Sequence, residues 1–227
     1  MLHTILTIIL AGLTTIIFSK LIDWFYSRES NDLSFPEQIK KRAILRQPLL
    51  FIGSAAAFFQ FDTNYPLAGF MNLCFYLSLL IISVTDWEQY IIFDSIVLFF
   101  TITGLCHSLI ASCSPEYLNS LSALPQIIPP GPKDATLTCL GTGVLMLLLA
   151  IILKGSIFGG DIKLIAASGI WLGSKYIPAA IVLGFIFGGL AAIFLLTVTK
   201  KSKKDYFAYG PYFAIAAAIV RTTGLIL

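Results

Sequence analysis

An all-α, polytopic integral membrane protein of about eight transmembrane helices is the fold class this sequence predicts. Three observations predict it. Hydrophobic residues make up 57% of the 227 positions and charged ones only 12%, with a mean hydropathy of +0.88, whereas soluble domains are about one quarter charged. The apolar residues come in runs, several of them close to the roughly 20 positions a helix needs to cross a bilayer. The few basic residues fall unevenly between the segments joining those runs. A water-soluble fold has too little polar surface here to cover such a core.

The first run, "MLHTILTIILAGLTTIIFSKLI", is long enough to span. It lacks a basic start and an A-x-A end, so it reads as a retained helix rather than a cleaved signal peptide. Lys20 and the basic cluster beyond it place its C-terminal end in the cytoplasm. Residues 23–48 are the longest polar segment, expected as a short cytoplasmic loop that opens beside Trp24 and Tyr26, two residues suited to an interface. Further apolar runs follow at 49–61, 67–85, 92–112, 138–153, 162–173, 177–199 and 207–227. Two of them, 49–61 and 162–173, are short. Ala55, Ala56, Ala166 and Ala167 let them sit tightly among neighbours, away from lipid. The segment 113–137 holds five of the ten prolines and is expected as irregular extracytoplasmic chain.

Charge placement tests the count. With the N-terminus outside, eight crossings put 23–48, 86–91, 154–161 and 200–206 in the cytoplasm, with Arg28, Lys40, Lys41, Arg42, Arg46, Lys154 and all of "KKSKK" at 200–204. The outer segments hold only Lys133 and Lys175. Dropping the weak crossing at 162–173 would send "KKSKK" outside, against the positive-inside rule. Both basic clusters read as anchors beside lipid head groups. Nucleic acid is not an expected partner, because no folded basic domain carries them. The cysteines Cys74, Cys106, Cys113 and Cys139 stand singly, without the C-x-x-C spacing of a zinc site, and no metal site is expected. Cys113 and Cys139 flank one segment and read either as free buried thiols or as a pair in an oxidising compartment.

Two of the cytoplasmic segments place aspartates at helix ends: "SVTDWEQYIIFDSI", with Asp86 and Asp94, and "IFGGDIKL", with Asp161. An ionisable group near the apolar zone is costly, so it tends to face the bundle interior and to have a function. Two carboxylates brought together cannot both ionise cheaply. They share a proton, one serving as base and the other as acid, which is what activating water against a peptide bond requires. Gly159 and Gly160, lacking Cβ, allow a sharp turn and the close approach of an extended substrate. The plainer alternative is that Asp161 is a helix N-cap at the positive end of the dipole.

"FGGDIKLIAASGIWLG" resembles the G-x-G-D-x-K-L-x-A-x-x-G-x-W-L-G signature of prepilin peptidases, the type IV leader peptidase family of membrane aspartic proteases. "DWEQYIIFD" resembles that family's D-x-x-x-x-x-I-P-[DN] segment, and "FAYGPYFAIAA" its "PFGPFLA" stretch. The three come in the family order between about 86 and 220. The resemblance implies that Asp86 and Asp161, 75 positions apart, are the catalytic pair. It also implies one membrane-embedded peptidase domain over 1–227, in the bacterial inner membrane, with its active site facing the cytoplasm. The substrates it implies are type IV prepilins or pilin-like precursors, cut between a basic leader and an apolar helix. Proteolysis of this kind requires no cofactor. S-adenosylmethionine enters only if the new N-terminus is also methylated, as in many members carrying C-x-x-C pairs, which the 23–48 segment lacks.

Two further departures are Phe158 where the first glycine of G-x-G-D is expected and Phe93 where proline is usual. Around the pair, Lys163 reads as an interfacial anchor or as a charge that biases the carboxylates. Asp94 reads as a helix N-cap or a third acid, and Asp94 and Lys163 are, with Glu88, the candidate substrate-binding residues. Glu88 reads as a solvated loop residue or a contact for the basic leader, and the 40–46 cluster is expected away from the substrate's path. Other function classes remain open: an intramembrane protease of presenilin type, a proton-coupled small-solute transporter, or an inactive relative serving as an assembly scaffold.

Overall fold

The computed structural model describes residues 2–61, 64–122, 127–153, 157–198 and 207–226. Lys154 and the "KKSKK" cluster lie outside them. All the regular structure among the described residues is helical, without a strand. Helix α1 is Leu2–Arg28, α2 Ile39–Arg42, α3 Arg46–Phe59, α4 Pro66–Gln89 and α5 Asp94–Cys113. They are followed by α6 Pro115–Ser122, α7 Pro132–Ile152, α8 Gly159–Val198 and α9 Gly210–Thr223.

Five of these, α1, α4, α5, α7 and α8, are long and apolar enough to cross a membrane. Each apolar run of the sequence falls largely on a helix, but α3 and α9 have 14 residues each, short of the roughly 20 a bilayer requires. Among the described residues, length and composition therefore support five spanning helices and do not by themselves establish eight.

The runs 162–173 and 177–199 belong to one 40-residue helix, α8, interrupted at Gly173 with φ 68° and ψ 174°. The chain folds back there. A Cβ at Gly188 would lie 3.2 Å from the Tyr209 ring and 3.8 Å from that of Phe207, and Phe207 lines the same cavity as Asp161. In a straight helix, positions 161 and 188 would stand about 40 Å apart. Asp134, on α7, accepts the Ser174 backbone N–H at 3.3 Å and so caps the returning half.

The first half of α8 is enclosed nearly all round, with Leu164, Ile165, Ala167, Trp171 and Leu172 at most 2% exposed. This matches the expectation for 162–173. Trp171 donates its indole N–H to the Phe100 carbonyl at 2.8 Å and packs against Phe75 and Phe100. By contrast, α3 buries Arg46, Leu50, Ser54 and Ala57 on one face and leaves Leu49, Ile52 and Phe59 41%, 66% and 67% exposed. That corrects the expectation for 49–61: a single helical stripe is covered, not the whole helix.

Two polar segments are more ordered than expected. Residues 23–48 continue α1 to Arg28 and then form short helical turns up to α3. Within 113–137, α6 and the start of α7 are helical, because Pro115 and Pro132 stand at first helical turns, where a missing N–H costs nothing. Cys113 and Cys139 are unpaired thiols but not buried ones, since Cys113 is exposed and Cys139 half-buried.

Candidate active site

Asp86 lies one turn from the C-terminal end of α4, and Asp161 in the first turn of α8. Each is 6% exposed. They line one cavity of about 330 Å³, with Tyr90, Ile91 and Ile92 beyond α4 and with Phe158 and Phe207.

Local sequence explains both placements. Phe158 is the N-cap of α8, since its carbonyl accepts the Ile162 N–H at 3.2 Å. Asp161, three residues on, reaches back to accept the Phe158 N–H at 3.3 Å, which is half of a capping box. Asp161 is therefore not the N-cap of α8, which corrects that alternative: it stands three residues inside, bonds back to the cap and lines the cavity with the same side chain. On Asp86, Oδ2 accepts the Gly210 N–H at 2.8 Å, so the positive end of α9 is aimed at that carboxylate. A Cβ at Gly210 would sit 2.8 Å from the same oxygen, so a side chain there must displace the carboxylate or the start of α9. One oxygen of each aspartate is held by backbone, and the other has no hydrogen-bond partner among the described residues.

α4 ends at Tyr90, whose φ of 53° makes it the only left-handed non-glycine residue described, an uncommon conformation for a bulky side chain. Its N–H closes on the Asp86 carbonyl at 2.9 Å. Gly159 and Gly160 line the cavity but do not form a sharp turn, since both are helical within α8. Only Gly160 has a steric use: a Cβ there would approach Ile92 to 3.1 Å, whereas one at Gly159 would meet open space.

Asp94 and Lys163 stand at the rim, joined at 2.7 Å. Asp94 is the first residue of α5, without a side-chain capping bond, so it ties α5 to α8 rather than capping a helix. Glu88 does not line this cavity. It is 1% exposed within α4 and its carboxylate is taken by Arg46 at 2.6 Å, which corrects the solvated reading. The 40–46 cluster is not remote either. Arg42 packs on Tyr90 and lines a second cavity, of about 240 Å³, that shares Tyr90 and Phe207 with the first.

Phe158 and Phe93 disturb neither helix start. Phe158 acts through its backbone, and its φ is not positive. Phe93 keeps φ −69°, the value a proline would impose, and its ring is 1% exposed and stacks on Phe25 at 4.9 Å. The residues that sequence reasoning missed are Tyr90, Phe207 and Gly210. The last lies inside "FAYGPYFAIAA", so its signal was present without its role.

Fold and site define a polytopic α-helical membrane protein with two buried carboxylates meeting at one end of the bundle. The chain belongs to the type IV leader peptidase family, whose model matches residues 73–193. A Pseudomonas putida protein named prepilin leader peptidase/N-methyltransferase is 29% identical over 183 residues, 79% of this chain and 59% of that protein. Proteins of the same name from Neisseria gonorrhoeae (38% over 69 residues, 30% of this chain and 23% of theirs) and Legionella pneumophila (34% over 65 residues, 29% and 23%) match shorter stretches. The chain thus spans well under two thirds of the length of these relatives. No solved structure matches it.

Proposed function

We propose that the protein is an aspartic endopeptidase that removes the basic leader from type IV prepilins or pilin-like precursors at the cytoplasmic face of a bacterial inner membrane. The observation that carries this reading is that Asp86 and Asp161, from different helices, line one cavity together with the apolar Ile91, Ile92, Phe158 and Phe207. One carboxylate takes a proton from water as its oxygen adds to the scissile carbonyl. The other gives its proton to the carbonyl oxygen, and collapse of the intermediate releases the amine with a proton returned from the pair. Hydrolysis needs nothing further. A methyl transfer would bring S-adenosylmethionine in as a second substrate, so the assay is run with and without it. Purified protein in detergent should cut a prepilin-like substrate once, between leader and apolar segment; an intact substrate would contradict the reading.

In this proposal the short helices α3 and α9 and the first half of α8 also pass through the membrane among their neighbours. That restores eight passes, with Asp86 and Asp161 inside. Lys41 and Lys133 are both exposed, on segments assigned to opposite sides. A cysteine replacing Lys41 should react with an impermeant thiol reagent only from the cytoplasmic side, and one replacing Lys133 only from outside. Reaction of both from the same side would overturn the orientation.

Gly210→Ala tests the α9 contact. The new methyl must displace the Asp86 carboxylate or the start of α9, and small misplacements of a reacting group cost about 10²-fold in rate. Cleavage should fall by that order while the protein still accumulates in the membrane. Wild-type turnover would show that the contact is not needed.

A further inference from the structure

The polar segment 23–48 closes on one place, the last turn of α4, directly after Asp86. Arg42 donates Nε to the Glu88 carbonyl and Nη2 to the Trp87 carbonyl, the latter at 3.2 Å. Those are two of the four carbonyls that a helix end leaves without partners, and the Asp86 carbonyl is taken by Tyr90. The Gln89 side-chain oxygen accepts the Phe35 N–H at 2.9 Å. The Glu88 carboxylate is gripped by Arg46 through Nη2 at 2.6 Å and Nε at 2.9 Å, and by the Tyr26 hydroxyl at 3.1 Å. Arg46, 4% exposed, also reaches Asp23. The Arg42 guanidinium lies over the rings of Phe35, at 4.1 Å, and Tyr90, at 5.0 Å.

Helix ends ordinarily fray. This one carries a carboxylate that must be held in register with another on a different helix, and the contacts at Trp87, Glu88, Gln89 and Tyr90 all fall within four residues of it. A buried ion pair is weak evidence for stability, because desolvation offsets the Coulombic gain, but its fork geometry fixes position. On the peptidase reading, on which this inference rests, we propose that Arg42, Arg46 and Glu88 are positioning residues that hold Asp86 in place against Asp161. They set the rate of the chemical step and leave substrate affinity alone. Glu88 is then no contact for the leader.

The test is steady-state cleavage of a prepilin-like substrate by the full chain in detergent, with wild type and Asp161→Asn as references. Arg46→Met combined with Glu88→Met replaces the buried pair with apolar side chains, an exchange that is often neutral or stabilising. The unfolding temperature should therefore hold while kcat falls about 10-fold or more and KM stays within about twofold. Arg46→Lys keeps the charge but loses the fork, and should fall between this variant and wild type. Arg42→Gln removes the carbonyl contacts without touching the ion pair and should lower kcat in the same sense; it decides the matter if the double variant unfolds. Wild-type kcat in these variants, or a rise in KM alone, overturns the clamp while leaving the peptidase reading intact. No cleavage by wild type overturns that reading, and the clamp with it.

Discussion

Asp86→Asn and Asp161→Asn should each lower cleavage of a prepilin-like substrate by about 10²–10⁴-fold, the range typical of losing a positioned acid or base. Asparagine has the size of aspartate, and its amide oxygen still accepts the backbone N–H that each carboxylate now holds, from Gly210 and from Phe158. Both variants should therefore insert, fold and unfold at close to the wild-type temperature. What they lose is the proton exchange. Because the two groups act as a unit, the double variant should be no slower than either single one. Asp94→Asn is the control: its side chain is 74% exposed and its partner Lys163 53%, and such a pair contributes only about 0–1 kcal/mol. Initial rates at matched protein levels decide the point. A single asparagine variant near the wild-type rate would remove that residue from the pair.

Gly173→Ala should cost more in stability than alanine at any other glycine among the described residues. Its φ of 68° and ψ of 174° fall in a region essentially reserved for glycine, worth about 1–3 kcal/mol in backbone strain alone. The new Cβ would also meet an Asp134 carboxylate oxygen at 2.6 Å and the Pro130 ring at 2.7 Å. Those residues cap and cover the fold-back that returns the chain toward Tyr209. Thermal unfolding in detergent should show a drop of several degrees, with activity falling alongside it. Unfolding at the wild-type temperature would mean that the chain does not reverse there.

Much of this was legible in the chain itself, for physical reasons that differ by element. Apolar runs announce spanning helices because the backbone must satisfy itself in lipid, so α5 emerged close to its observed bounds and α4 nearly so, while α1 runs on past residue 22 to Arg28 and α7 begins at Pro132, before residue 138. Motif order singled out Asp86, Asp161, Gly159 and Gly160, which line one cavity. Other features depend on contacts between distant positions. Glu88 sits in a polar stretch and looks solvated until Arg46, 42 positions away, is brought against it. Gly210 is one glycine among 17 until its N–H is seen 2.8 Å from Asp86, 124 positions away. Pro115 and Pro132 misled because proline both interrupts helices and begins them. The one-sided cover of α3 follows from which helices happen to flank it, and its composition does not reveal that.

The central claim is that this fold brings Asp86 and Asp161 to a single cavity, and a cysteine pair tests it most directly. Asp86→Cys and Asp161→Cys would be combined in a chain whose four natural cysteines are replaced by alanine. Native membranes would then be treated with a short bifunctional thiol reagent and the digested protein read by mass spectrometry. The account predicts one joined peptide linking positions 86 and 161, its yield reduced when a prepilin-like substrate is present. Recovery of the two cysteines only as separately capped peptides would contradict it.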